Sequence, residues 1–143
     1  LTPCTVPEVG RPSFSIGDDE MEIGMGIHGE PGISRTKLRP ADEVAAEITQ
    51  RIVSDLPFKG GDEVAVLVNG LGSTCLEELY IMFRRVAKEL EDRDISIYRT
   101  YVGEYATSLE MAGCSVTLLK LDGELKELLD APARSPFFEQ IGR

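Results

Sequence analysis

Val64-Ala65-Val66-Leu67-Val68, with Asp62 and Glu63 before it and Asn69 after it, is a continuous apolar run of strand length. A strand with one wet face alternates, so an unbroken run predicts a central strand covered on both faces. After it, Asn69-Gly70-Leu71-Gly72-Ser73 predicts a turn into a helix. That helix carries the apolar stripe Leu79, Met82, Phe83, Val86 and Leu90, and Thr74 with Glu77 three residues on supplies a capping box. Upstream, Val44, Ile48, Ile52 and Val53 recur at helical spacing. Pro40 suits the first turn of that helix, Asp42 and Glu43 lie near the positive end of its dipole, and Pro57 with Gly60-Gly61 stops it. Downstream, residues 95–102 and 115–121 are rich in strand formers, and 124–129 suits a short closing helix. Near the start, 13–16 and 21–27 read as two strands joined by the polar turn Gly17-Asp18-Asp19-Glu20. Strands and helices alternate only in part, which predicts an α/β fold with a two-layer mixed β-sheet and helices packed on one face.

The 143 residues, 42% of them hydrophobic, suffice for one core of ordinary size. Against 15 Lys and Arg stand 25 Asp and Glu, a formal charge of -10 that opposes non-specific affinity for nucleic acid or anionic membranes. Cys4, Cys75 and Cys114 are odd in number, widely spaced and without a CxxC pair, so neither a disulfide framework nor a zinc site is encoded. A reducing compartment, the cytoplasm, is expected. No apolar stretch reaches the roughly 18 residues needed to span a bilayer, and no leader resembling a signal peptide is seen. Residues 1–10 are punctuated by Pro3, Pro7 and Gly10 and begin on Leu1, which suggests a linker in a fragment of a longer chain; 134–143 reads as a C-terminal tail.

The chemistry concentrates in Met21-Glu22-Ile23-Gly24-Met25-Gly26-Ile27-His28-Gly29-Glu30-Pro31-Gly32, which holds the only histidine of the chain. Gly26, Gly29 and Gly32 open backbone conformations closed to residues with a Cβ, and Pro31 stiffens the exit, so an imidazole can be presented at the end of a strand. A lone histidine also serves as an ordinary surface or packing residue, and the glycine frame favours presentation. A metal role is disfavoured because no second histidine exists and no cysteine lies at ligand spacing. Glu30 either orients the ring or holds the turn through backbone N–H groups.

Further segments have weaker signals. Residues 69–74 lie between strand and helix, where N–H groups can receive an anion. They lack both the third glycine of a dinucleotide fingerprint and the Gly-Lys-Ser/Thr of a P-loop, so a tight turn with a helix cap is favoured. Around Tyr105, Thr107 and Ser108, hydroxyls either line a polar site or satisfy a turn. Arg35, Lys37 and Arg39 either meet a phosphate or acidic partner or lie on a solvated loop, the commoner case. Nearly every charge of 88–94 reads as the exposed face of a helix and its exit.

The run Gly26-Ile27-His28-Gly29-Glu30-Pro31-Gly32 closely resembles the substrate-binding subunit of the dihydroxyacetone kinase family, in its second domain. Two more segments are similar to that family: Asn69, Leu71, Gly72, Leu76, Glu78, Leu79 and Tyr80, and then Tyr105, Thr107, Ser108, Leu109, Met111 and Gly113. The resemblance implies that 11–133 form that second domain, that His28 forms a covalent hemiaminal with dihydroxyacetone, and that Gly26, Gly29 and Glu30 shape its loop. It also implies a homodimer, acid/base residues in a preceding domain, no cofactor in this chain, and ATP or ADP with Mg on a separate nucleotide-binding kinase subunit or domain. The phosphoryl donor is ATP directly or a phosphoenolpyruvate-dependent phosphotransferase chain. The alternative is a module without catalysis, either a carbonyl sensor or a fatty-acid binder of related architecture; a fatty-acid binder needs an elongated apolar pocket and no nucleophile.

Overall fold

The computed structural model describes residues 2–12, 14–26 and 32–142. In chain order the strands and helices are β1 (Thr5–Val6), β2 (Arg11–Pro12), β3 (Glu20–Ile23), β4 (Ser34–Lys37), α1 (Ala41–Asp55), β5 (Glu63–Gly72), α2 (Leu76–Glu91), β6 (Ser96–Gly103), β7 (Ala112–Lys120), α3 (Gly123–Asp130), β8 (Ala133–Ser135) and β9 (Phe138–Gln140). The apolar run at Val64 is the central strand of a three-stranded sheet, with β6 parallel on one side and β7 antiparallel on the other. The sheet is therefore mixed, as expected.

Val64, Val66 and Val68 are fully buried and point toward α1 and α2. Leu79, Met82, Val86 and Leu90 of α2 and Val44 and Ala45 of α1 meet them, so the predicted stripes are the packed faces. Each buried valine, leucine and methionine here contributes on the order of 2 kcal/mol through burial, which makes this layer the main source of stability. On the opposite face Ala65 is buried and Leu67 half-buried, while Ser115, Thr117 and Leu119 of β7 are exposed. Coverage there comes from the end of the chain. Asp130 of α3 pairs with Arg99, which lies in register with Ala65, and Gln140 of β9 accepts a hydrogen bond from the Tyr101 hydroxyl at 2.7 Å. The segment read as a tail thus contains a hairpin, β8 with β9, whose Phe138 ring lies 6.1 Å from those of Tyr101 and Tyr105.

Several local expectations are corrected. The sheet does not end at Val68: β5 runs to Gly72, so Asn69 to Gly72 pair with β7 and are strand, not turn. The cap of α2 lies one residue later than expected, on Cys75 with Glu78, whose carboxylate accepts from the Cys75 N–H at 3.2 Å. Pro40 is the N-cap of α1 itself. Described residues within 13–16 form no strand; β3 pairs instead with β4, a strand that the solvated-loop reading of Arg35 and Lys37 missed. Four alternating polar residues, Ser34 to Lys37, carry almost no hydrophobic signal, and β4 exists because its partner does. The opening segment is also tied down. Thr2 exchanges two hydrogen bonds with Ala112, the Thr5 N–H donates to Leu109 at 3.1 Å, and Cys4 is buried. No helix among the described residues is long and apolar enough to cross a membrane.

Candidate functional site

His28, Gly29 and Glu30 lie outside the described residues, and Gly26 within them is half-buried. The site is therefore built from what holds the two ends of the segment that carries the histidine. On one side β3 and β4 form a ladder ending at Ile23 and Ser34, and the Ile33 N–H donates to the Ile23 carbonyl at 2.7 Å. Gly24 adopts φ 78, a conformation strained for a residue with a Cβ, and a Cβ there would stand 2.6 Å from the Ile33 side chain, which would have to move, so this crossing favours glycine. The Gly32 N–H donates to the Glu22 carboxylate at 3.0 Å, and Arg35 approaches the same carboxylate at 3.4 Å. Sequence reasoning weighed Glu30 for holding the turn and passed over Glu22; only the β3 to β4 pairing brings Glu22 to the exit of the segment.

The other foot is Met25, three residues before His28. It is buried in a second, small core with Cys4, Leu71 and Met111, against which Phe14 packs. Met25 and Ile33, on either side of the histidine segment, both line a cleft of about 690 Å³ that runs between the β3–β4 hairpin, α1 and the start of β7. Its walls are mostly apolar, including Ile23, Ile48, Ile52 and Met82. Arg39 and Arg51 stand at its edge and share Glu47, at 2.5 Å and 2.8 Å. Those two guanidiniums hold the Glu47 carboxyl below the usual range. Cys114 also lines the cleft, and burial pushes its thiol up, away from the reactive thiolate form. No disulfide joins the three cysteines.

The basic residues after the histidine segment are already paired: Arg35 with Glu22, Lys37 with Asp19, Arg39 with Glu47. They favour the structural reading over a phosphate site. The same holds for residues 69–74. The Gly72 N–H donates to the Thr107 hydroxyl at 2.9 Å, the Ser73 N–H to the Met111 carbonyl at 2.8 Å, and the Cys75 N–H to Glu78, so these donors are taken before any anion arrives. Glu77 and Glu78 add negative charge to the same turn.

What that segment does is hold its neighbour. Asn69 is 4% exposed; its side-chain amide donates to the Ala106 carbonyl at 2.7 Å, and its oxygen accepts from the N–H groups of Tyr105 at 2.8 Å and Ala106 at 3.0 Å. Gly72 sits at φ 68 with a notional Cβ only 1.8 Å from the Met111 carbonyl oxygen. The segments 69–74 and 105–113 are thus two halves of one clamp. Thr107 satisfies a backbone group, the commoner of the two uses open to it. Among the described residues no group of three or more His, Cys, Asp and Glu is placed to hold a metal ion.

The sequence profile of the Dak1 domain matches residues 1–137. The dihydroxyacetone-binding subunit DhaK of PTS-dependent dihydroxyacetone kinase 2 from Listeria innocua serovar 6a is 45% identical over 139 residues, which cover 97% of this chain and 42% of that protein. Among solved structures, the dihydroxyacetone kinase operon co-activator Dha-DhaQ superposes with a TM-score of 0.82 at 34% identity, covering 92% of this chain and 41% of that one. The dihydroxyacetone kinase from C. freundii in complex with AMP-PNP and Mg2+ gives 0.74 at 27% identity, over 98% of this chain and 26% of that one. The chain therefore spans about two fifths or less of the length of these relatives.

Proposed function

We propose, for a chain that belongs to the Dak1 domain family, that it is the substrate-capturing part of a dihydroxyacetone kinase and that His28 binds the ketone covalently. An imidazole with an ordinary pKa of ~6.5 is largely neutral at cellular pH, so one ring nitrogen has a lone pair for a carbonyl carbon. As that C–N bond forms, the C=O π pair moves to oxygen, which takes up a proton while the other ring nitrogen releases one. Nothing leaves, and the hemiaminal has the summed composition of protein and ketone. Glycerol matches the substrate in size and hydroxyl content but has no electrophilic carbon, so covalent capture discriminates where hydrogen bonding alone would do so poorly.

In this reading Gly26 and Gly29 give the loop its bend, and Glu30 holds the turn or orients the ring. A free hydroxyl of the captured ketone then accepts a phosphoryl group from ATP, or from an ADP-carrying subunit recharged by phosphotransferase proteins, with Mg on that separate subunit or domain offsetting the charge. The similarity to a PTS-dependent DhaK supports the second donor, and the C. freundii kinase with AMP-PNP and Mg2+ supports the first. A cytoplasmic homodimer completes the proposal.

One observation carries it. Both feet of the segment bearing His28 are pinned, by the β3–β4 ladder with the Glu22 to Gly32 bond and by Met25 in the small core, as a presented side chain requires. A second reading, a carbonyl-responsive regulator, is favoured by the superposition on the Dha-DhaQ co-activator. It uses the same adduct and differs in never meeting a phosphoryl donor.

The test is the intact mass of the full-length protein under native conditions, with and without dihydroxyacetone, beside glycerol and a His28→Ala variant. A gain of one substrate mass, absent with glycerol and in the variant, is expected. No gain in the unaltered protein overturns covalent capture. With capture established, phosphorylation on adding a nucleotide-carrying partner separates kinase from regulator.

A further inference from the structure

We propose that Leu76, Tyr80, Tyr105, Phe137 and Phe138 form a docking surface for the nucleotide-carrying subunit or domain, which meets it with an apolar patch edged by Lys and Arg. The surface presupposes the kinase reading above, in which a separate protein or domain brings the phosphoryl group.

Both parallel strands of the sheet run out at this end of the molecule, β5 at Gly72 just before α2 and β6 at Gly103 where the 104–111 loop begins. A Cβ at Gly70 would meet Leu79 of α2 at 3.0 Å and the Gly103 carbonyl at 3.8 Å, so the first turns of α2 stand beside the root of that loop. Leu76 and Tyr80, one turn apart on α2, share a face away from the buried Leu79 and Met82, and Tyr80 is 54% exposed. Tyr105 is 45% exposed, and its ring lies 6.1 Å from those of Tyr101 and Phe138. Burial, then the phenols of Tyr101 and Tyr80, push the Tyr105 hydroxyl up, consistent with Tyr80 standing close to the loop. Beside Phe138, Phe137 at the hairpin turn is 98% exposed. Tyrosine suits the centre of an interface, since it offers a large apolar area with a polar tip and few rotamers.

An exposed loop that shows apolar side chains is normally soft, and this one is tethered. Asn69 holds Tyr105 and Ala106 through three hydrogen bonds, and the Thr107 hydroxyl takes the Gly72 N–H. Glu110 is kept at φ 58, a conformation rare for a residue with a side chain, with its carboxylate on the Thr5 hydroxyl. The loop is thus ordered on folding, and little further ordering is needed when a partner binds.

The charge around the surface has one sign. Residues 69–83 and 100–119 contain no Lys or Arg, and they contribute Glu77, Glu78, Glu104 and Glu110. Glu77 follows Leu76 and Glu104 precedes Tyr105, and both are exposed. On the hairpin the one basic residue, Arg134, faces Glu139 at 4.0 Å. A second copy would set carboxylates against carboxylates, and a nucleic acid or anionic membrane would set phosphates against them. A protein with Lys and Arg around an apolar centre matches both the patch and its rim. The nucleotide-carrying partner must dock and leave at each turnover, and a small tyrosine-centred patch with a charged rim suits a transient contact. Charge steers the encounter, while the limited apolar area keeps release fast. Open α/β sheets also receive their ligands outside the carboxyl ends of their strands, which is where this surface stands.

The test is the affinity of the full-length protein for a purified nucleotide-binding subunit loaded with ADP and Mg, by surface plasmon resonance at low and high salt, for Tyr80→Ser, Tyr105→Ser and Glu104→Lys. Leu56→Ser and Asp55→Lys are the comparators. They make like changes at the far end of α1, beside Pro57, whose carbonyl accepts from Lys120 opposite Val64 at the other end of β5. Tyr80→Ser and Tyr105→Ser should each weaken binding on the order of tenfold, mainly through faster dissociation. Glu104→Lys should slow association about threefold and flatten its salt dependence, whereas Asp55→Lys, with the same change in net charge, should do neither. In turnover, Tyr80→Ser should raise the partner concentration for half-maximal rate and leave KM for the ketone in place.

Affinity unchanged in folded Tyr80→Ser and Tyr105→Ser overturns the proposal, as does an equal loss in Leu56→Ser. Should Tyr105→Ser fail to fold, Tyr80→Ser, at an exposed helix position, decides alone. A dimer that dissociates in Tyr80→Ser, seen by sedimentation velocity, gives the surface to a second copy and overturns the proposal too. An unaltered protein that does not bind the nucleotide-carrying subunit overturns the kinase reading and this surface with it; a subunit that binds every variant alike leaves the kinase reading standing and removes the surface alone.

Discussion

Between Val64, Val66, Val68 and the two long helices, the chain is held by many branched apolar side chains, none of which is individually indispensable in kind. Around Cys4, Met25, Leu71 and Met111 it is held by a few contacts that each depend on particular groups in particular places: an amide with both ends bonded, a glycine against a carbonyl, a hydroxyl on a peptide N–H. The first region makes a stable platform, and the second ties the end of β5 to the 105–113 loop. Burial scales with area and tolerates exchange, whereas a close backbone approach or a buried hydrogen bond is specific to geometry. The two should therefore fail differently when altered.

The sharpest way to break this contrast is Gly72→Ala. A Cβ at φ 68 and 1.8 Å from the Met111 carbonyl oxygen forces the two segments apart, and the expected loss is about 3 to 4 kcal/mol, read from the denaturation midpoint. Two residues away, Gly70 would set its Cβ 3.0 Å from a terminal methyl of Leu79, which can rotate aside, so Gly70→Ala should cost only about 1 kcal/mol. Equal costs at the two glycines would mean that the close approach at Met111 is not a constraint. Next in size is Leu79→Ala in the main core, where a 2% exposed side chain leaves a cavity; about 3 kcal/mol is expected. Hydrogen exchange should sharpen the comparison. Leu79→Ala should speed exchange across β5 and α2 broadly, and Gly72→Ala should concentrate its effect at Ser73 and the 105–111 loop.

The platform was legible in the sequence because its signals are periodic. An unbroken apolar run, two helical stripes and two β-rich segments gave the mixed sheet and its helical layer to within a few residues. The clamp was not, since Asn-Gly and Thr-Ser near glycines most often mark turns, and nothing local says that Asn69 continues a strand to reach a loop 37 residues away. β4 was invisible for a related reason, as four polar residues form a strand only because β3 offers a partner. Glu22 was overlooked in favour of Glu30 because contact across a hairpin cannot be read before the hairpin is known. The histidine stood out as the one imidazole of the chain, set in a glycine frame, and its covalent role came from the family resemblance.

The smallest expected effect tests the platform's rim by pH. Burial alone would raise the Glu89 carboxyl, but the guanidiniums of Arg93 and Arg85 outweigh it and leave it lowered. Glu47 is lowered by Arg39 and Arg51, and Asp62 by Lys120 and the Lys59 N–H. A carboxyl lowered in the folded state contributes stability that is full above its unfolded pKa, about 4.3 for glutamate, and that is lost as pH falls from there through the folded value. Glu89→Gln should thus cost about 0.5 kcal/mol at neutral pH, and the difference from the unaltered protein should shrink as pH falls below about 4.3. Asn69, Thr107 and the peptide groups at Met111 do not titrate in this range, so acid should loosen the platform's rim while the clamp's own bonds persist. A Glu89→Gln difference that stays constant down to about pH 3 would remove the ion pairs from the platform's account, and the contrast between the two regions would then rest on packing alone.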